Sequence, residues 1–308
     1  MVLEVARLAQ ELGIRGGLIY EGTQRPPISA AFQDVDLPKI ESLTQLVTAG
    51  EVDSEDILFH NFAPEHPVWP GRNWIYLQGA SALIQALVAH ADLHSTGLEG
   101  AWAVMPHLVQ LINKWSPMPQ GVHLVPPFVQ PLKDPGSGLK PWSERRKRCV
   151  LFPKAMYTAL GQSDHALLTQ MLTRRAAALG WEIVQLQGLS PTEVQELFSD
   201  ARLFINTNTL ESLNATLIEA MAAGCPVISY TAIGGVDFLE TGVNAQVFEN
   251  LEVFQMLEAA LEIMAQPEAH KAKMEGLQKA GWATASRYNR QRTREAMVEW
   301  WRKINASQ

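Results

Sequence analysis

Apolar residues fall in two periods along this chain, and the two periods alternate. Leu3, Val5, Ala6, Leu8, Ala9 and Leu12 recur at helical spacing before Gly13. Short apolar runs bounded by polar residues then read as strands over 17–20, 56–59, 73–77, 101–104 and 122–125, with helices over 82–91 and 108–115 between them. A second set follows, with strands over 149–152, 181–185, 201–206 and 227–230. Its helices are expected over 164–180, 191–198, 253–264, 270–279 and 289–304, the second of them capped by Ser190. Strands alternating with helices predict parallel sheets joined by crossovers. Two such sets predict an α/β protein of two facing, Rossmann-like, doubly wound domains with a cleft between them.

Residues 131–148 interrupt the pattern with three prolines, two glycines and the basic cluster Arg145-Arg-Lys-Arg148. Such a stretch reads as a domain linker, and the cluster as a solvated charge run in preference to a surface steering an anion.

Composition narrows the partners. A chain of 308 residues with 47% hydrophobic and 19% charged residues has material for two packed domains. A net charge of −7 argues against a nucleic-acid partner. Two cysteines, Cys149 and Cys225, are too few for a disulfide framework and fit a reducing compartment. No apolar run approaches the roughly 20 residues of a membrane span, and the first residues lack the charge order of a signal peptide. The expected location is cytoplasmic, with room for peripheral contact at the inner face of a membrane, since a lipid-linked acceptor needs only an exposed patch.

The candidate chemistry concentrates in Leu210-Glu-Ser-Leu-Asn-Ala-Thr-Leu-Ile-Glu-Ala-Met-Ala-Ala-Gly-Cys-Pro-Val-Ile-Ser229. Glu211 and Glu219 stand eight residues apart. On one helix that spacing places them about 80° apart and about 12 Å along the axis. Glu219 sits among Leu217, Ile218, Ala220, Met221, Ala222 and Ala223, where an unpaired carboxylate is costly. The plain alternative is a surface helix with two acids. The acids follow the carboxyl end of a strand, where open α/β sheets bind ligands.

The stretch resembles the E-x7-E signature of retaining GT-B glycosyltransferases of family 4: both acids, Glu-Ala-Met-Ala, Gly224, Pro226 and Val227 match. Val122-His-Leu-Val-Pro-Pro127 resembles the strand and P-N-G loop that end the family's first domain. Gly234-Gly-Val-Asp-Phe-Leu-Glu-Thr-Gly-Val-Asn244 resembles its G-G-x-x-E loop, with Asp237 near the usual acid. Leu151-Phe-Pro-Lys154 resembles its basic loop. The resemblance implies an N-terminal acceptor-side domain over 1–130, a linker over 131–148, a donor domain over 149–286, and a C-terminal helix over 287–308 that packs back on the first domain.

What the resemblance implies about activity is a retaining hexosyltransferase, which moves a sugar from a nucleotide-diphosphate donor to a saccharide or lipid-linked acceptor without metal or cofactor. Glu211 would take sugar hydroxyls and Glu219 the ribose diol; Lys154 would neutralise the leaving diphosphate, helped by Arg148 or Arg202. Ser212, Leu213 and Asn214 would offer backbone amides at a helix mouth, and Gly234, Gly235 and Asp237 would line the donor loop. His60, Gln78 and His107 are the acceptor-side candidates, although each histidine reads more readily as structural.

Three departures stand out: no counterpart of the first strand and its glycine turn, one strand fewer between Lys154 and Trp181, and Gln78-Gly79 where the family has His. They keep a second expectation open, a catalytically impaired GT-B-like protein that binds nucleotide sugar or serves as a partner subunit. A nucleotide-sugar epimerase is a third.

Overall fold

The computed structural model describes residues 2–12, 18–19, 39–40, 56–60, 71–77, 80–90, 92–129, 138–152, 159–209 and 213–306. Its N-terminal part holds helix α1 (Val2–Glu11) and a short parallel pair, β1 (Leu18–Ile19) with β2 (Lys39–Ile40). A four-stranded parallel sheet follows, β3 (Ile57–His60), β4 (Arg72–Leu77), β5 (Gly100–Ala103) and β6 (Val122–Leu124), in sequential order. Helices α2 (Ala80–His90) and α3 (Pro106–Trp115) form its crossovers. β4 and β5 are buried over most of their length, as strands covered on both faces must be. Gly100 is set by packing: a Cβ there would meet the Trp74 indole at 2.5 Å.

The C-terminal part is a five-stranded parallel sheet of order β11-β10-β9-β7-β8. Its strands are β7 (Arg146–Leu151), β8 (Glu182–Gln185), β9 (Ala201–Asn206), β10 (Val227–Tyr230) and β11 (Gln246–Phe248). The crossovers are α4 (Ala159–Ala176), α5 (Pro191–Asp200), α6 (Ala215–Ala222) and the one-turn α7 (Ala232–Gly235). Helices α8 (Val253–Ala265), α9 (Pro267–Ala285) and α10 (Arg290–Ala306) end the chain. Because β7 lies between β8 and β9, the winding reverses there. The region outside the carboxyl ends of β7 and β9 is the position where sheets with such a reversal take ligands.

Helix α10 joins the two parts. Trp300 lies against Trp102 at 4.7 Å and Trp74 at 5.4 Å between ring centroids, on the face of the N-terminal sheet. Thr293 Oγ1 donates to the Pro126 carbonyl at 2.6 Å, and the Val129 amide donates to the Tyr288 carbonyl at 3.1 Å. Arg290 pairs with Glu11 of α1.

The basic cluster meets its expectation at Arg146 and Lys147, which are exposed, and departs from it at Arg145. Strand β7 begins at Arg146, inside the stretch read as linker, and Arg145 is buried at 3% exposure. The Arg145 guanidinium donates to the carbonyls of Lys140, Phe198, Ala201 and Ala223 at 2.8–3.3 Å. Three of these carbonyls lie at the C-terminal ends of α5 and α6, where the helix dipoles present negative charge. Burial pulls the Arg145 pKa down, and this ring of carbonyls compensates the buried cation. Gly224 completes the arrangement. Its φ of +68° is left-handed, and a Cβ there would meet Arg145 Nη2 at 2.9 Å.

Arg148 and Arg202 are also committed elsewhere. Arg148 Nε pairs with Glu182 at 2.7 Å. Arg202 lies 4.9 Å over the Trp142 ring and donates to the carbonyls of Arg145 and Ser143. As the second residue of β9, it stands at the amino end of the sheet, away from the carboxyl ends. Both guanidinium groups thus have other partners, where the sequence expectation has one of them help at the diphosphate.

Candidate functional site

The carboxyl end of β9 carries a buried polar knot. Asn206, Thr207 and Asn208 are all at most 2% exposed. Asn206 Nδ2 donates to Ser229 Oγ on β10 at 3.0 Å, and Asn206 Oδ1 accepts from Asn214 Nδ2 at 3.0 Å. Asn206 Oδ1 also accepts the Asn208 amide at 3.3 Å. Asn214 is the N-cap of α6, its Oδ1 accepting the Leu217 amide at 3.3 Å. One asparagine therefore ends the strand, the other starts the helix, and the bond between them ties the two described ends together. The sequence reading passed over Asn206 as the last residue of a strand and took Asn214 for a phosphate-facing amide. The legible signal was an Asn directly before an apolar helical run.

Helix α6 begins at Ala215, so a common helix does not relate Glu211 to Glu219, contrary to the rotation expected from their spacing. Glu211, Ser212, Lys154 and Gln78 lie outside the described residues. Leu213 is buried, and its carbonyl accepts the Ala215 amide at 2.9 Å. Glu219 lies in the second turn of α6, partly buried between Ile218 and Ala220. Burial raises its pKa, and no hydrogen bond or ion pair joins its carboxylate to another described residue. A desolvated carboxylate without a partner is a candidate for a ligand-binding position.

After β10, Ala232 takes a left-handed φ of 49° and the Ile233 amide donates to the Thr209 carbonyl at 3.1 Å, tying the two loops together. A non-glycine residue in this region stores strain, which clusters at ligand-binding loops. Gly234 and Gly235 are buried in α7, and a Cβ on Gly235 would meet Leu239 Cδ1 at 2.6 Å, a packing reason for that glycine. The rest of the loop is held by Asn244, whose Nδ2 donates to the Phe238 carbonyl at 2.6 Å and to Thr284 Oγ1 at 2.9 Å.

Asp237 reaches across to the other sheet. Its Oδ2 accepts from His107 Nδ1 at 2.5 Å and from the His107 amide at 3.2 Å. His107 is the second residue of α3, whose N-cap, Met105, has no capping side chain. His60, by contrast, pairs with Asn73 Oδ1 through Nε2 at 3.0 Å, within its own sheet. Among the described residues no three His, Cys, Asp or Glu side chains gather to hold a metal ion, and no helix is long and apolar enough to cross a membrane.

Residues 146–266 match the family model described as glycosyl transferases group 1. An alpha-1,6-glucosyltransferase of Actinobacillus pleuropneumoniae serotype 7 (strain AP76) is 28% identical over 249 residues, which cover 74% of this chain and 67% of that protein. A glycosyltransferase from Rickettsia africae ESF-5 superposes with a TM-score of 0.64 at 12% identity, over 98% of this chain and 93% of that one. The pneumococcal O-GlcNAc transferase GtfA, solved with UDP and GlcNAc, gives a TM-score of 0.57 at 12% identity, over 85% of this chain. This chain spans 59% of the length of that enzyme. The architecture is the GT-B fold, with two Rossmann-like domains.

Proposed function

We propose, from a chain with the GT-B fold and a group 1 sequence pattern over its donor half, that the protein transfers a hexose from a nucleotide diphosphate to a saccharide or lipid-linked acceptor, with retention and without a metal. The observation that carries this reading is Glu219. A ribose diol offers two adjacent hydroxyl donors, and a carboxylate left without protein donors accepts both.

The remaining roles follow the chemistry of the donor. Glu211, between Asn206 and Asn214 in the sequence, receives sugar hydroxyls. Lys154, after β7, neutralises the diphosphate as it leaves. Leu213, the Ser212 and Asn214 amides and the Gly234-Gly235 turn form the wall against the phosphates. The leaving phosphate oxygen takes the acceptor's proton on the face it vacates. This gives retention without a protein nucleophile, through a charge distribution similar to that of glycoside hydrolysis. The name of the Actinobacillus relative makes glucose the first sugar to try, and the UDP in the pneumococcal structure makes uridine the first base.

The test is a panel of UDP-, GDP- and ADP-sugars assayed for thermal shift and donor hydrolysis. Binding accompanied by slow hydrolysis that disappears in Glu211→Ala is expected. Binding without turnover on any donor and acceptor would instead leave a nucleotide-sugar-binding protein.

A further inference from the structure

Tyr230 ends β10 and is fully buried, and its hydroxyl donates to Asp164 Oδ2 at 2.8 Å. The two residues belong to elements that are not neighbours in sequence or in the sheet. Asp164 lies in the second turn of α4, the helix that follows β7, and β9 stands between β7 and β10. The tyrosine side chain bridges that gap. Burial, and then the bond to Asp164, push the Tyr230 pKa up, so the hydroxyl keeps its proton and remains the donor.

The main chain around Tyr230 is seated on other contacts. Its carbonyl accepts from Ser229 Oγ at 2.7 Å, and the Thr231 amide and Oγ1 donate to the Phe248 carbonyl of β11 at 2.8 and 3.2 Å. The entry of α4 has less to hold it. Among the described side chains of α4, Leu168 is the first that is buried, and Asp164 supplies an anchor one turn ahead of it. The strand is therefore the fixed reference, and the helix entry is what the bond holds.

We infer that Tyr230 and Asp164 are positioning residues of the donor site, which set the entry of α4 and the Lys154 loop before it against the Gly234-Gly235 turn that follows β10. The inference rests on the glycosyltransferase reading above, in which Lys154 neutralises the diphosphate and the glycine turn lines it. Neither Tyr230 nor Asp164 touches the ligand. Their bond sets the spacing between two segments that a diphosphate meets at once, whereas a nucleoside monophosphate lacks the second phosphate that needs both.

The experiment compares diphosphates with monophosphates by calorimetric titration: UDP with UMP, GDP with GMP and ADP with AMP. Tyr230→Phe keeps the ring in the core and removes the hydroxyl. It is expected to weaken diphosphate binding about fivefold, the worth of one net hydrogen bond, and to leave monophosphate affinity within about twofold of wild type. Asp164→Ala should behave as Tyr230→Phe does. Asp164→Asn, whose carbonyl oxygen still accepts from the hydroxyl, should restore most of the loss. In a Lys154→Ala background, adding Tyr230→Phe should cost less than about twofold more, because both changes act through one group.

Equal losses for diphosphate and monophosphate overturn the inference, since they would reduce the bond to a support of the fold. So does wild-type diphosphate affinity in Tyr230→Phe, or a Tyr230→Phe loss that adds in full to that of Lys154→Ala. An Asp164→Asn as weak as Asp164→Ala also overturns it, because the charge and not the bond would then matter. Should Tyr230→Phe not fold, the two Asp164 variants decide by the same ratios. Failure of wild type to bind any of these nucleotides removes the glycosyltransferase reading and this inference with it.

Discussion

Glu219 is set apart by what it lacks. In a helix whose neighbours Leu217, Ile218, Ala220 and Met221 are buried, a charge costs folding energy unless something answers it. Burial raises its pKa, so the folded state binds the proton more tightly than the unfolded chain does. The stabilising contribution is therefore present at low pH and is lost as pH rises through the folded-state titration. Glu219→Gln should melt higher than wild type at pH 8, by roughly 2–4 °C for about 1 kcal/mol in a chain of this size. The gap should close as pH falls, and thermal melts across pH 4–8 would check it. An unchanged melting temperature at pH 8 would mean that the carboxylate is better solvated than its surroundings suggest. This residue was legible in the sequence, because an acid in an apolar helical run is visible without coordinates. Arg145 was not, since carbonyl partners come from main chain and leave no mark on the residue pattern.

At the scale of elements, the alternation of apolar runs located the strands well. Those over 201–206 and 227–230 coincide with β9 and β10. Within 131–148, proline, glycine and charge together resemble solvent-exposed chain, and they conceal the two buried residues Trp142 and Arg145 and the start of β7. In the structure Arg145 is bonded to carbonyls at the ends of α5 and α6, and Trp142 is fully buried. Arg145→Met should therefore cost about 3–5 kcal/mol, since it strands several buried acceptors. Urea titration reads this as a lower midpoint at an unchanged slope. The Asn206–Asn214 bond belongs to the same scale. Asn214→Ala removes a helix cap and the partner of Asn206, for a loss of about 1–2 kcal/mol. It should also weaken donor binding through the loop that carries Glu211. A variant as stable as wild type would show that the cap contributes little there.

At the scale of the whole molecule, the sequence announces two α/β units and a terminal helix, but not which residues meet between them. His107 and Asp237 are 130 positions apart and belong to different sheets. Nothing in either local pattern marks them as partners. Helix α10 fixes their relative placement by setting Trp300 among Trp74, Trp102 and Phe59. Trp300→Ala should cost about 3–5 kcal/mol by emptying that site. On the proposed function, the carboxyl ends of β7 and β9 take a nucleotide sugar with Glu219 as a ligand. Calorimetric titration of wild type and Glu219→Ala with UDP-, GDP- and ADP-glucose tests it most directly. Saturable binding of at least one donor by wild type is expected, with an affinity at least tenfold lower in the variant; equal binding by both, or none by wild type for any donor, would rule out Glu219 as a donor ligand.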